Sequence, residues 1–175
     1  MAASPPPPTV KAGDLNAPNW SFFDNPPLEI VGEWEVIWDD LIRPDLFDNI
    51  YQGDHFTLPA RWNGHIKGQG KRSFGTATFR ARLHLPEYNR ELSFQLIAPH
   101  AAYRVYLDGV LIINNGTVSK TPENFHANYV SRSFEAHSGD SEIVLQVANF
   151  AHAYGGPGHA LTLWDQQHLQ KFLST

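Results

Sequence analysis

The chain of 175 residues contains no cysteine, which excludes disulfides and thiolate metal sites. No run approaches the roughly 20 apolar residues a helix needs to cross a bilayer. The start, MAASPPPPTV, has neither a positive flank nor an apolar stretch, so no signal peptide is legible there. It suits the cut end of a domain taken from a longer protein. Charged residues make up only 18% and sum to −5 with no basic block, which argues against a phosphate backbone as partner. There is no Gly-x-Ser-x-Gly elbow and no His-x-x-x-His pair. What is present is an ordinary globular balance, 42% apolar and 13% aromatic, at a length that gives one domain with a core of its own.

The hydrophobic period is two. In TATFRARLHL, Ala77, Phe79, Ala81, Leu83 and Leu85 alternate with Thr76, Thr78, Arg80, Arg82 and His84, the pattern of a strand with one polar face. GEWEVIW, ELSFQLIA and AYRVYL alternate in the same way, and Ile143–Ala148 reads as another strand. Asp108-Gly109 between two apolar runs predicts a two-residue hairpin, because both turn positions need positive φ. Shorter strands are expected at His55–Leu58, Tyr129–Phe134 and Ala160–Trp164. Helix is expected only as a turn near Asp39–Ile42 and a short piece near Gln166–Phe172. About eight short antiparallel strands with glycine and proline turns define the fold class as all-β, an antiparallel β-sandwich or jelly roll. Residues 1–28 read as a proline-rich linker, 29–165 as the jelly roll, and 166–175 as a segment leading toward a membrane or output module.

Catalytic chemistry is hard to find. Asp39 and Asp40 are adjacent, so on a strand they face opposite ways and make a poor pair for glycoside hydrolysis. His152 and His159 flank a glycine loop with no nearby carboxylate pair, which does not suit zinc. The expectation is a protein that is not an enzyme and has no cofactor, with a structural calcium left open to loop oxygens such as those of Asp54 and Asp108. Binding features are richer. Trp62, Tyr103, Tyr106, Tyr154 and Trp164 are candidate aromatic platforms, and Arg80, Arg82, Asn149 and His152 are candidate polar groups. Arg80, on the polar face of its strand, would be available to a carboxylate or hydroxyls if that face is concave; otherwise it pairs with a local acid, and Trp62 plugs the core.

The stretch NFAHAYGGPGHA, residues 149–160, follows the strand ending at Ala148. Asn149 shares a face with Ile143, Leu145 and Val147, so its amide is expected to be buried and hydrogen-bonded. Gly155 and Gly156 supply backbone angles that other residues resist. His152, between them, is the residue freest to meet a ligand, and an imidazole there would make binding pH-sensitive.

The landmarks occur in a specific order. Gly32-Glu33-Trp34-Glu35 and Trp38 come first, then Leu58-Pro59-Ala60-Arg61-Trp62, a glycine-rich loop and Thr76–Arg80 with Leu85-Pro86. Ala102–Gly109 and Gly116 follow, and the series ends in Val147–Phe150, His152 and Gly155-Gly156. This series resembles the type-2 extracellular sensor domain of bacterial 7TMR-DISM receptors and is more distantly similar to the sugar-binding jelly rolls of family 2 glycoside hydrolases, within the galactose-binding-like folds. The resemblance covers about residues 29–165. It implies a periplasmic or extracellular jelly roll that senses a small ligand, often a carbohydrate, and signals through transmembrane helices to a kinase or cyclase module. It marks Trp62, Arg80, Asn149, His152, Gly155 and Gly156; with Tyr103, these are the expected ligand-binding residues. The alternatives are an accessory carbohydrate-binding module of a secreted enzyme, or an interaction module that forms a homodimer through a sheet face or edge.

Overall fold

Two eleven-residue strands, β5 (Gly75–Leu85) and β10 (Gly139–Asn149), pair antiparallel along their whole length and form the spine of the molecule. The computed structural model describes residues 6–60, 62, 75–97, 102–115, 131–149 and 161–175. Around the spine stand β3 (Gly32–Trp38), β4 (His55–Leu58), β7 (Ala102–Leu107) and β8 (Val110–Asn115), in the order β4-β3-β5-β10-β7-β8. A short strand β1 (Asp14–Asn16) pairs parallel with β5, completing seven strands. The second sheet has four strands in the order β2-β11-β6-β9, made of Leu28–Glu29, Thr162–Asp165, Leu92–Ile97 and Ser131–Ala136. A 3-10 turn at Pro44–Leu46 and two helices, α1 (Phe47–Ile50) and α2 (Gln166–Leu173), complete the elements of the described residues. No helix among the described residues is long and apolar enough to cross a membrane.

The period-two pattern sets this architecture. Ala77, Phe79, Ala81 and Leu83 of β5 are fully buried with Ile143, Leu145 and Val147 of β10 and Val105 of β7, and they meet Leu28, Phe94 and Leu163 of the small sheet in one apolar core. The hairpin at Asp108-Gly109 has φ of 50° and 82°, both positive as the turn requires. β3 and β4 have the expected bounds, and α2 begins where the C-terminal helical piece was expected.

Two expectations fail. Residues 10–28 are not a linker: Val10, Leu15, Ala17 and Phe22 are core residues, and β1 registers Leu15 against Leu83. Gly32 makes this docking close, with φ of 133° and Val10 O where a Cβ would need room. Gly32→Ala is therefore expected to detach the N-terminal strap, read as rapid protease cleavage near residues 8–17 while the rest of the sandwich resists.

The polar face of β5 is not open either. Residues 39–51 lie over it, so Thr78, Arg80 and Gln146 are buried. Ile42 N–H donates to Thr78 Oγ1, which donates to Asp40 O, and Gln146 Nε2 donates to Ile42 O. Phe47 and Ile42 make a small second core with Ile37 beneath this cover.

Candidate functional site

Register places Tyr103 between Val147 and Asn115, across β10, β7 and β8. Asn149 lies two residues beyond Val147, opposite Gly75. Tyr103, Asn115 and Asn149 therefore gather at one end of the large sheet, and all three are buried to 1% exposure or less. Burial pushes the Tyr103 phenol well above its ordinary pKa. Two of the expected site residues, Tyr103 and Asn149, are thus brought together. Asn115 was missed, although its alternation with buried Ile113 could have marked it.

Trp62 is a correction. It is 0% exposed, stacked on Phe79 at 6.3 Å and edge-on to Trp38 at 6.2 Å, so it is a core ring and not a platform. Small side chains at Ala77 and Ala81 in the same core leave volume for such rings. His152, Gly155 and Gly156, with Tyr154, lie outside the described residues.

Arg80 is a second correction. Its side chain is 5% exposed and its guanidinium already held: Nη2 lies 2.6 Å from Glu35 and 2.7 Å from Asp48, and Nη1 lies 3.7 Å from Glu142. The group also sits 4.3 Å over the Phe47 ring. Glu35 is the direct cross-strand partner of Arg80, which is why the acid is in place. Arg82 continues the ladder, donating to Glu35 and to Asp14 of β1. His84 follows, with Nε2 3.0 Å from Asp14 and Nδ1 3.0 Å from Asp140. On the neighbouring turn, His137 Nε2 lies 2.7 Å from Asp108.

These pairs set a pH dependence. Hydrogen bonds to Asp14 and Asp140 raise the His84 pKa, and those to Asp108 and Ser138 O raise that of His137. A raised folded-state pKa gives stability that is fully present below the unfolded value and lost as pH rises through the folded one. The Arg80 bond lowers Asp48; His84 and Arg82 outweigh burial to lower Asp14. Those carboxylates give stability that is lost as pH falls through their depressed values. Burial raises Glu142 despite nearby Arg80, which also favours the acid side. The thermal midpoint is expected to peak between about pH 4 and 6.5 and to decline toward pH 8. A scan of His84→Asn/His137→Asn should show the alkaline decline flattened; an unchanged decline would remove both histidines from the account. The groups are partly exposed, so the effect is modest.

Among the described residues no group of three or more His, Asp or Glu is arranged to hold a metal ion. Of the two aspartates considered for calcium, Asp108 is occupied by His137 and by the Glu142 N–H. Asp54 lines a cleft of about 300 Å³ with Asp39, Asp40, Gln52 and Trp38. Asp39 there is held at φ 62°, and Asp40 accepts from the Leu41 N–H.

No family model matches the chain, and no curated protein matches it by sequence. Solved structures do match. A β-glucuronidase from an uncultured Clostridium sp. superimposes with a TM-score of 0.57 at 13% identity, over 79% of this chain and 28% of that one. Bacteroides uniformis β-glucuronidase 2, covalently bound to cyclophellitol-6-carboxylate aziridine, gives 0.57 at 16%, over 79% and 17%. An FMN-binding β-glucuronidase from Facaelibacterium prausnitzii L2-6 gives 0.53 at 14%, over 79% and 22%. At these identities the likeness is one of fold. The chain is an antiparallel β-sandwich of the kind that forms one part of these enzymes, and it spans less than a third of their length.

Proposed function

We propose that this chain is a non-catalytic ligand-binding module that recognises a carbohydrate or a similarly hydroxylated small molecule at the strand end anchored by Tyr103, Asn115 and Asn149. The observation that carries this reading is the gathering of three neutral hydrogen-bonding side chains at one end of an otherwise apolar core face. Buried polar groups cost stability unless satisfied, so three together at one strand end point to a built site. Amides and phenols both donate and accept, so this buried trio can fix the strand end from which the ligand is met. In this reading Asn149 fixes the strand end, Gly155 and Gly156 shape the following loop, and His152 contacts the ligand.

The finer assignment is an extracytoplasmic sensor domain of a 7TMR-DISM receptor at the bacterial inner membrane, with transmembrane and cytoplasmic signalling modules as its partners. The ordered landmarks support it, and α2, which continues directly from β11, would lead toward those modules. A second reading, an accessory module of a carbohydrate-active enzyme, is favoured by neighbours in which this fold is 17–28% of a β-glucuronidase chain.

The test is a thermal-shift and calorimetric screen against mono- and oligosaccharides, uronic acids and calcium. His152→Ala is expected to weaken binding at unchanged stability, whereas Asn149→Ala costs about 1–3 kcal/mol by leaving buried groups unsatisfied. If His152→Ala unfolds the domain while binding per folded molecule is unchanged, the assignment is wrong.

A further inference from the structure

The outer face of the small sheet has a different chemistry from the rest of the surface. Register brings Glu29, Thr162 and Gln95 into one row across β2, β11 and β6, with Trp164 and Ser93 in the next. Ser133 and Glu135 of β9 extend the two rows. One indole thus stands among hydroxyls, an amide and two carboxylates. Among the described residues of these four strands, that face carries no Lys or Arg; Arg132 alternates to the other face.

A groove of about 480 Å³ opens beside it, lined by Pro7, Pro8, Pro26 and Pro27 and by Trp164 and Phe172, with Glu29 and Thr162 also bordering it. Phe172, on the last turn of α2, is 56% exposed and lies 5.1 Å from the Trp164 ring. An occupant must offer an apolar face to the rings and donors to Glu29 and Thr162.

We propose that this groove binds a neutral glycan chain, with a pyranose ring against Trp164 and its hydroxyls on Thr162, Gln95 and Glu29. A pyranoside presents a C–H face and hydroxyls that both donate and accept, which matches this inventory. A polyproline peptide has acceptors but no backbone donors, and would leave Glu29 facing carbonyls. A uronate chain would bring its carboxylates against Glu29 and Glu135, and like charges oppose it. The site lies on the outside of the small sheet and does not depend on the strand-end reading.

Calorimetric titration of the whole chain with cellohexaose, laminarihexaose, xylohexaose, mannohexaose and hexagalacturonate tests it. At least one neutral hexasaccharide is expected to bind, with affinity falling roughly tenfold in Trp164→Ala. Glu29→Lys, at an exposed position, should weaken it as well and serves if Trp164→Ala folds poorly. His152→Ala should leave this binding unchanged. The proposal is overturned if no neutral hexasaccharide binds or if hexagalacturonate binds as well as the neutral chains. It is equally overturned if binding survives both groove variants but is lost in His152→Ala, which would leave the strand-end reading standing.

Discussion

Glu35→Ala is expected to lower stability by about 3–5 kcal/mol, because it strands a buried cation. Glu35 accepts from Arg80 Nε at 2.9 Å and from Nη2 at 2.6 Å, and it also receives Arg82. Both Glu35 and Arg80 side chains are 5% exposed, so neither can be rehydrated without lifting the 39–51 segment. Asp48, the other close partner, is 80% exposed and its attraction is screened. Asp48→Ala should accordingly cost well under about 1 kcal/mol. Replacing both members of the pair, Glu35→Leu with Arg80→Met, should recover most of the loss, since the penalty comes from the unpaired charge. Urea unfolding at constant m separates these cases. A Glu35→Ala cost no larger than that of Asp48→Ala would mean that the face beneath the cover is wet.

Trp62→Ala should cost a similar amount, about 3–5 kcal/mol, for a different reason: an indole is removed from a close-packed aromatic cluster and the neighbours cannot fill the space. Phe79, on which it stacks, and Trp34 nearby in the core are themselves almost fully buried. A residue serving as an exposed platform would behave in the opposite way, losing affinity and keeping its melting temperature. Chemical denaturation of Trp62→Ala alongside Trp164→Ala makes the contrast within one protein, since Trp164 is only partly buried and sits on an outer face.

Much of this architecture was legible because a strand writes its two faces into alternate residues. β3, β4, β5 and the Asp108-Gly109 hairpin follow directly from that alternation and from turn chemistry. The same alternation marked Asn149 as buried. It could not show what lies over a face. Thr78, Arg80 and Gln146 read as solvent-facing, yet the cover from residues 39–51 is an irregular segment with one short helix, and nothing periodic announces where it packs. Trp62 was equivocal because a single aromatic after Pro59-Ala60-Arg61 has no strand to give it a face. The N-terminal strap was missed because prolines dominate its composition. Its anchors, Val10, Leu15, Ala17 and Phe22, are irregularly spaced and answer to partners far along the chain.

That strap has a consequence for how the molecule is made. Asp14 meets Arg82 across 68 positions of sequence, and Leu15 sits against Leu83. The strap therefore cannot bury its apolar anchors until β5 is in place, and β5 itself lacks its long partner until β10 pairs with it. Contacts of such span are slow to close, because the loop entropy is spent before the contact rewards it. The prolines on either side of these anchors keep the waiting segment extended and poor in backbone donors. A composition that looks like a linker thus suits a segment that stays unpaired until distant strands form and still arrives in the core.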